Sequence, residues 1–307
     1  YVRGGGRLNL YGSGLVLIIL LPAGGGLIVG LIIRGFGTRQ GAGILDVIEM
    51  VARLRGNIRP RLAAEKILTS GITIGSGGSA GAEGPIVQIG AAIGAGVARA
   101  FRIARPHWPI LLACGAAAGI SAIFNAPIGG VLFVLEVILL EFSPRTFTPL
   151  ILGSVVANVT TRTVFDRLHE QFRYDAIFFV PAGKAAEMAN FGFASLPNFV
   201  LLGVVCGLAA VAFIRTLDLV ERRFAILALP GWLKPAVGGA LLGVVGVAFV
   251  IGLGWWASGT PKPFAADIYA MPAFFGDGYR IIGHLLGQEF YSGRSALFLL
   301  GLTLTLV

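Results

Sequence analysis

Residues 75–90 read Gly75-Ser-Gly-Gly-Ser-Ala-Gly-Ala-Glu83-Gly-Pro85-Ile-Val-Gln-Ile-Gly90. A glycine-rich approach leads to one acid, a glycine and a proline, and then to an apolar run. Pro85 suits the first turn of a helix, where its missing N–H is not needed. The free N–H groups of that turn, at the positive end of the helix dipole, attract anions. Glu83 stands beside this end, between the uncharged runs Ile67–Ala82 and Gly84–Ala98. A carboxylate at membrane depth is costly and marks a functional position by default. A glutamate that only caps a helix from a surface loop is the plainer reading, but it leaves the uncharged approach unexplained.

The rest of the chain supplies the membrane. Of 307 residues 56% are hydrophobic and 13% charged, against about 25% charged in soluble domains. Further uncharged runs span Leu8–Ile33, Pro106–Leu135, Thr146–Thr161, Met188–Ile214, Pro235–Pro261 and Ser295–Val307. A crossing helix needs about 20 apolar residues, so the long runs are full crossings and those flanking Glu83 are short. The 46 glycines suit close helix contacts. A soluble enzyme, a disordered chain and a disulfide scaffold are excluded, and an all-α polytopic membrane protein is expected. No signal peptide is recognisable. The last run is still open at Val307, so the chain reads as part of something longer.

Charge sets the expected topology. Residues 34–66 carry seven Lys/Arg against three Asp/Glu, Arg99, Arg102 and Arg105 add three more, and 215–234 carry a net +2. Residues 162–187 hold four of each sign. The first three stretches are therefore expected inside and the last outside. This assigns the net charge of +9 to topology and not to nucleic acid. Between Arg105 and the outside loop, Pro106–Leu135 must go out and back. Its break is expected at Asn125-Ala126-Pro127, since proline cannot continue a helix. Broken helices in lipid are tolerated only where they line a cavity or are buried in protein.

Gly90-Ala-Ala-Ile-Gly94 and Gly115-Ala-Ala-Ala-Gly119 are small-xxx-small patterns, read as packing within the chain before a dimer face. Gly41-Ala42-Gly43-Ile44-Leu45 ahead of Asp46 suggests a second helix start, although a simple turn fits it equally well. Cys114 and Cys206 lie in apolar runs and read as buried thiols. Gly77 to Gly81 fits G-x-S-x-G without a preceding strand, and the glycine-rich run lacks the Gly-Lys-Ser/Thr of a phosphate loop. His107, His169 and His284 show no ligand spacing with the cysteines. No enzyme activity, metal or cofactor is expected.

Gly81-Ala-Glu-Gly-Pro85 followed by Ile-Val-Gln-Ile-Gly resembles the G(K/R)EGP motif of the CLC chloride channels and transporters. Phe124-Asn-Ala-Pro-Ile-Gly-Gly-Val-Leu-Phe-Val-Leu-Glu136 is similar to that family's next signature, in order and at a fitting distance. Gly41 to Leu45 falls where the family has GSGIP. The resemblance covers nearly the whole chain. It implies a CLC-like fold of broken, tilted helices with inverted repeats, truncated at both ends. The piece would run from about the third helix into the thirteenth. Residues 1–163 would form the first-half repeat and 188–307 an incomplete second half. The GxFxP motif and the anion-coordinating tyrosine would lie outside it.

Carried over by position, the resemblance makes Glu83 the gating glutamate, whose carboxylate occupies the outer anion site and yields it when protonated or displaced. Backbone groups around Gly41, Ala42, Gly43, Ile44, Gly84 and Ile86 would face the anion, with Gly81, Pro85, Asn125 and Pro127 as structural motif positions. Ala42 stands where the family usually has an anion-coordinating serine, Leu45 where it has proline, and Ala82 where it has a basic residue. Val137, next to Glu136, stands where proton-coupled members typically carry an inner glutamate. The expected function is passage of chloride or a similar small anion through a glutamate-gated, channel-like path. A proton-coupled antiporter is the alternative, and a non-transporting membrane scaffold the reading from another class. The resemblance also implies a homodimer among lipid, in a plasma or inner membrane.

Overall fold

The computed structural model describes residues 13–37, 43–52, 58, 61–168, 196–256 and 275–276. The described elements are helical, and no strand occurs among them. The chain divides into two compact units, Tyr1–Ala176 with Gly231–Gly278, and Ile177–Pro230 with Tyr279–Val307.

In the first unit α1 covers Ser13–Phe36, α2 Ile44–Ala52, α3 Arg61–Gly75 and α4 Glu83–Ala100. A short 3-10 turn, Arg105–His107, leads into α5, Trp108–Phe124; α6 is Pro127–Phe133 and runs on as a π-helical turn, Val134–Leu139. Next comes α7, Pro144–Leu168. The second unit contributes α8, Leu196–Ile226, and the first resumes with α9, Lys234–Trp256. Among the described residues three stretches are long and apolar enough to cross a membrane: Leu15–Phe36, Arg105–Phe124 and Leu196–Ile226. The break in Pro106–Leu135 falls where proline chemistry puts it, with α5 ending at Phe124 and α6 starting at Pro127.

Charge is a poorer guide to helix ends. The helix after Pro127 continues past Glu136, whose side chain is exposed, to Leu139. Likewise α8, described from Leu196, runs through Arg215 into the basic stretch. There Arg222 pairs with Asp218 at 2.9 Å on its exposed face. A charged side chain ends an apolar run without ending a helix, because the backbone ladder continues wherever the side chain can reach water. Most of 162–187, the first crossing before Ser13, the final run and His169 and His284 lie outside the described residues.

The core mixes small residues with a few large ones: Ala91, Ala95, Ala113, Ala116 and Ala117 are fully buried beside Leu112, Leu135 and Leu150, while Leu20, Ile93, Ile128, Leu152 and Leu201 are more than half exposed. Many large apolar side chains thus face outward, and small ones sit at helix contacts, as expected where lipid is the solvent. Cys206 is accordingly exposed on α8, and only Cys114 is partly buried, so the expectation of two buried thiols fails for one.

Glycine sets the interhelical distance. A Cβ built on Gly90 would strike the Gly115 carbonyl oxygen, and one on Gly94 that of Leu111. Both small-xxx-small patterns thus serve the α4–α5 contact within the chain. At the far end of this hairpin Arg102 (φ 51°) closes α4, with the Ile103 N–H donating to Ala98 at 2.9 Å and the Arg102 N–H to Arg99 at 3.0 Å. This is the paired 6→1 and 5→2 closure of a helix C-terminus. Trp108 then takes the Arg99 and Arg105 guanidinium groups over its ring at 5.4 and 5.7 Å. Its Nε1–H donates to the Ile103 carbonyl at 2.9 Å. In the same way α1 meets α9, where a Cβ on Gly243 would come within 2.8 Å of the Ile18 carbonyl oxygen. Pro22, four residues on, has no N–H to offer that oxygen.

Gly90→Ala should push α4 from α5 and lower stability by about 1–3 kcal/mol. Gly96→Ala, with nothing within 4 Å, should leave the melting temperature unchanged or slightly raised. Thermal unfolding in detergent, followed by monodispersity, separates the two.

Candidate functional site

Glu83 is the first residue of α4, inside the helix where the sequence places it just before the end; Ala82 already has near-helical torsions of −79° and −13°. The cause is that Ile86 N–H donates to the Ala82 carbonyl at 3.0 Å, closing the first turn. That bond engages the Ile86 amide within the first turn, and Pro85 has no N–H to offer.

The glycine-rich loop bends Glu83 back on itself. A Cβ on Gly81 would overlap Glu83 Oε2 and lie 3.1 Å from its Cδ. The half-buried carboxyl group therefore occupies the space a side chain at 81 would need, which gives Gly81 a reason absent from the motif alone. The loop is held at both ends. Gly78 N–H donates to Thr73 at 2.7 Å, and Ala80 N–H to Gly276 at 3.2 Å. The Phe275 ring fills the hydrogen side of Gly77, 2.8 Å from where a Cβ would stand, and of Gly246 on α9, at 2.9 Å.

Two helix starts meet here. A Cβ on Gly43 would lie 3.6 Å from the Gly84 Cα, and one on Gly84 would lie 3.7 Å from the Gly43 Cα. Gly43, with φ +66°, adopts the left-handed backbone that glycine tolerates without cost, and α2 begins at the next residue, Ile44. Of the alternatives the sequence leaves open, a helix start is what forms. Gly41 and Ala42 lie outside the described residues. Gln88, buried at 1% exposure, reaches from α4 to α2. Its Nε2 donates to the Gly43 carbonyl and to Asp46 Oδ2, each at 2.8 Å. Sequence reasoning passes over Gln88. Its signal is a lone amide in an otherwise apolar run.

At the α5–α6 break Asn125 (φ 53°) takes the left-handed turn, which asparagine accepts better than most residues. Its Oδ1 receives Asn158 Nδ2–H at 2.9 Å and Arg162 Nε–H at 2.7 Å. Ser154 Oγ–H donates to the Pro127 carbonyl at 2.8 Å, and Asn158 also donates to that of Ser121 at 3.2 Å. The Ser121 carbonyl, in the last turn of α5, and the start of α6 thus both find partners on α7. Ser154, Asn158 and Arg162, one helical turn apart in sequence, were legible only as an i, i+4, i+8 polar stripe. Val137 is half-buried in the π-helical turn beside the exposed Glu136. Among the described residues no group of His, Cys, Asp and Glu could hold a metal.

Residues 25–307 match the family described as voltage gated chloride channel. A ClcB-like protein of Ralstonia nicotianae is 32% identical over 237 residues, which are 75% of this chain and 52% of that protein. An H(+)/Cl(-) exchange transporter, ClcA, of Vibrio cholerae is 33% identical over 154 residues, 49% of this chain and 30% of that protein. The chain thus spans about half the length of the first relative and less of the second. The crystal structure of a slow cyanobacterial Cl-/H+ antiporter superposes with a TM-score of 0.61 at 22% identity, over 88% of this chain and 66% of that one. At that identity the likeness speaks for the fold. With the family match covering most of its length, the chain is a multi-pass integral membrane protein that belongs to the voltage-gated chloride channel (CLC) family.

Proposed function

We propose that the complete protein carries chloride or a similar small anion across the membrane, past the junction of α2 and α4, and that Glu83 is its gate. The observation that carries this reading is the close approach of Gly43 and Gly84, where a Cβ on either would lie 3.6–3.7 Å from the other's Cα, with the Glu83 carboxyl group at the same helix end. One helix end contributes up to ~2 kcal/mol to a nearby anion. Stripping an anion of water costs several kcal/mol even after relaxation. One helix end is too little, and two glycine-lined ends brought into contact supply more. A carboxylate of the chain competes for the same amides, so the path is closed while Glu83 is ionised and in place. Protonation or displacement by an incoming anion opens it.

Val137 supports a channel-like path, because a valine cannot carry protons from the inner side. Proton-coupled exchange is the second reading, supported by the exchange transporter name of the Vibrio cholerae relative. A third, from another class, is a scaffold that carries no anion. The family resemblance further suggests a homodimer with one path per subunit. It also makes residues 1–163 and 188–307 two halves of an inverted repeat.

Glu83→Gln should give chloride flux in vesicles that ignores external pH; a pH response equal to that of the wild type rejects the gate. Gly81→Ala should turn the flexible carboxyl group out of its resting place with little loss of stability, raising basal flux several-fold at neutral pH; unchanged flux would mean that this resting place is not the closed state. In vesicles with a chloride gradient and no proton gradient, a channel leaves internal pH constant once voltage is clamped. Uphill proton movement there selects the exchanger.

A further inference from the structure

We infer that Gln88 is a positioning residue for anion binding, acting through the backbone of Gly43 and the carboxylate of Asp46. The inference rests on the anion reading above. Both hydrogens of the Gln88 amide are committed, one to the Gly43 carbonyl and one to Asp46 Oδ2, at 2.8 Å each. This fixes the amide's orientation, since turning it over would set its oxygen against two acceptors. The commitment is expensive, because Gln88 is buried and its Oε1 has no hydrogen-bond partner among the described residues. A buried orphan acceptor costs about 1–3 kcal/mol, which the two donated bonds must offset.

The first consequence is directional. The Gly43–Ile44 peptide is trans, as are all described peptides. In a trans peptide the carbonyl and the following N–H point in opposite directions. Anchoring the Gly43 oxygen on Gln88 therefore aims the Ile44 N–H away from Gln88. As the first amide of α2, it has no acceptor within the helix. The second consequence concerns charge. Asp46 is the third residue of α2, from which an acid can reach back to cap the helix start. There it would take the Gly43 amide and set its negative charge beside the Ile44 amide. The Gln88 N–H holds one oxygen of that carboxylate elsewhere. Gln88 thus aims one donor and restrains an internal competitor for it.

Chloride binding to the purified complete protein by calorimetry, alongside vesicle flux, tests this. Gln88→Leu should weaken chloride binding about tenfold, the order of one lost hydrogen bond to a charged group. Adding Asp46→Asn to Gln88→Leu should restore affinity to within about threefold, because the competing carboxylate is gone. Unchanged affinity in Gln88→Leu, or no recovery in the double variant, overturns the inference; a packing role alone predicts no rescue. Should Gln88→Leu fail to fold, the near-isosteric Gln88→Met, which also removes both donated hydrogens, should show the same weakening, and an unchanged constant overturns the inference. Binding that depends on Gln88 without any flux would overturn the transport reading and leave this one standing. Flux with binding indifferent to both residues does the reverse.

Discussion

A peptide group with no water to bond costs several kcal/mol in an apolar layer, and a helix that stops inside that layer exposes several at once. The break between α5 and α6 is arranged around that constraint. Where α5 ends and α6 begins, α7 sends Ser154 and Asn158 to the carbonyls of Pro127 and Ser121, and Arg162 to Asn125. At the Glu83 end two helix starts meet instead, Gly43 lying against Gly84 with the Glu83 carboxyl group at the same helix end, and on this arrangement the proposed anion path rests.

Small residues make the close helix contacts possible. Gly90, Gly94 and Gly115 allow α4 and α5 to approach until backbone meets backbone in the hairpin that carries the candidate gate. From the second turn of α4, Gln88 reaches the start of α2 through its bonds to Gly43 and Asp46.

The sequence made some of this legible and some not. Proline chemistry is local, so the stop near Asn125-Ala126-Pro127 could be read from three letters. The helix start at Pro85 and the acid beside it were equally local. Helix ends judged from charge were displaced at Glu136 and Arg215, because a charge that reaches water does not interrupt the backbone ladder. The partners of Asn125 lie 33 and 37 residues away, and the contacts of Gln88 lie 42 and 45 away. No local pattern announces them. The position of Glu83 above Gly81 depends on the path of a loop, which torsions decide and composition does not. The match to the family's motifs located the junction, while its geometry came from packing.

The ring of Phe275, lodged between Gly77 and Gly246, joins the glycine-rich loop to a segment made much later. At about 5–20 residues per second, a ribosome that has finished Gly77 needs roughly 10–40 s more to deliver residue 275. Through that interval the loop beneath Glu83 lacks its lateral support, so the half of the chain synthesised first can thread the membrane well before its loop acquires its final shape. Maturation of the gate is thereby tied to completion of the later helices, and an arrested nascent chain would carry the loop unbraced.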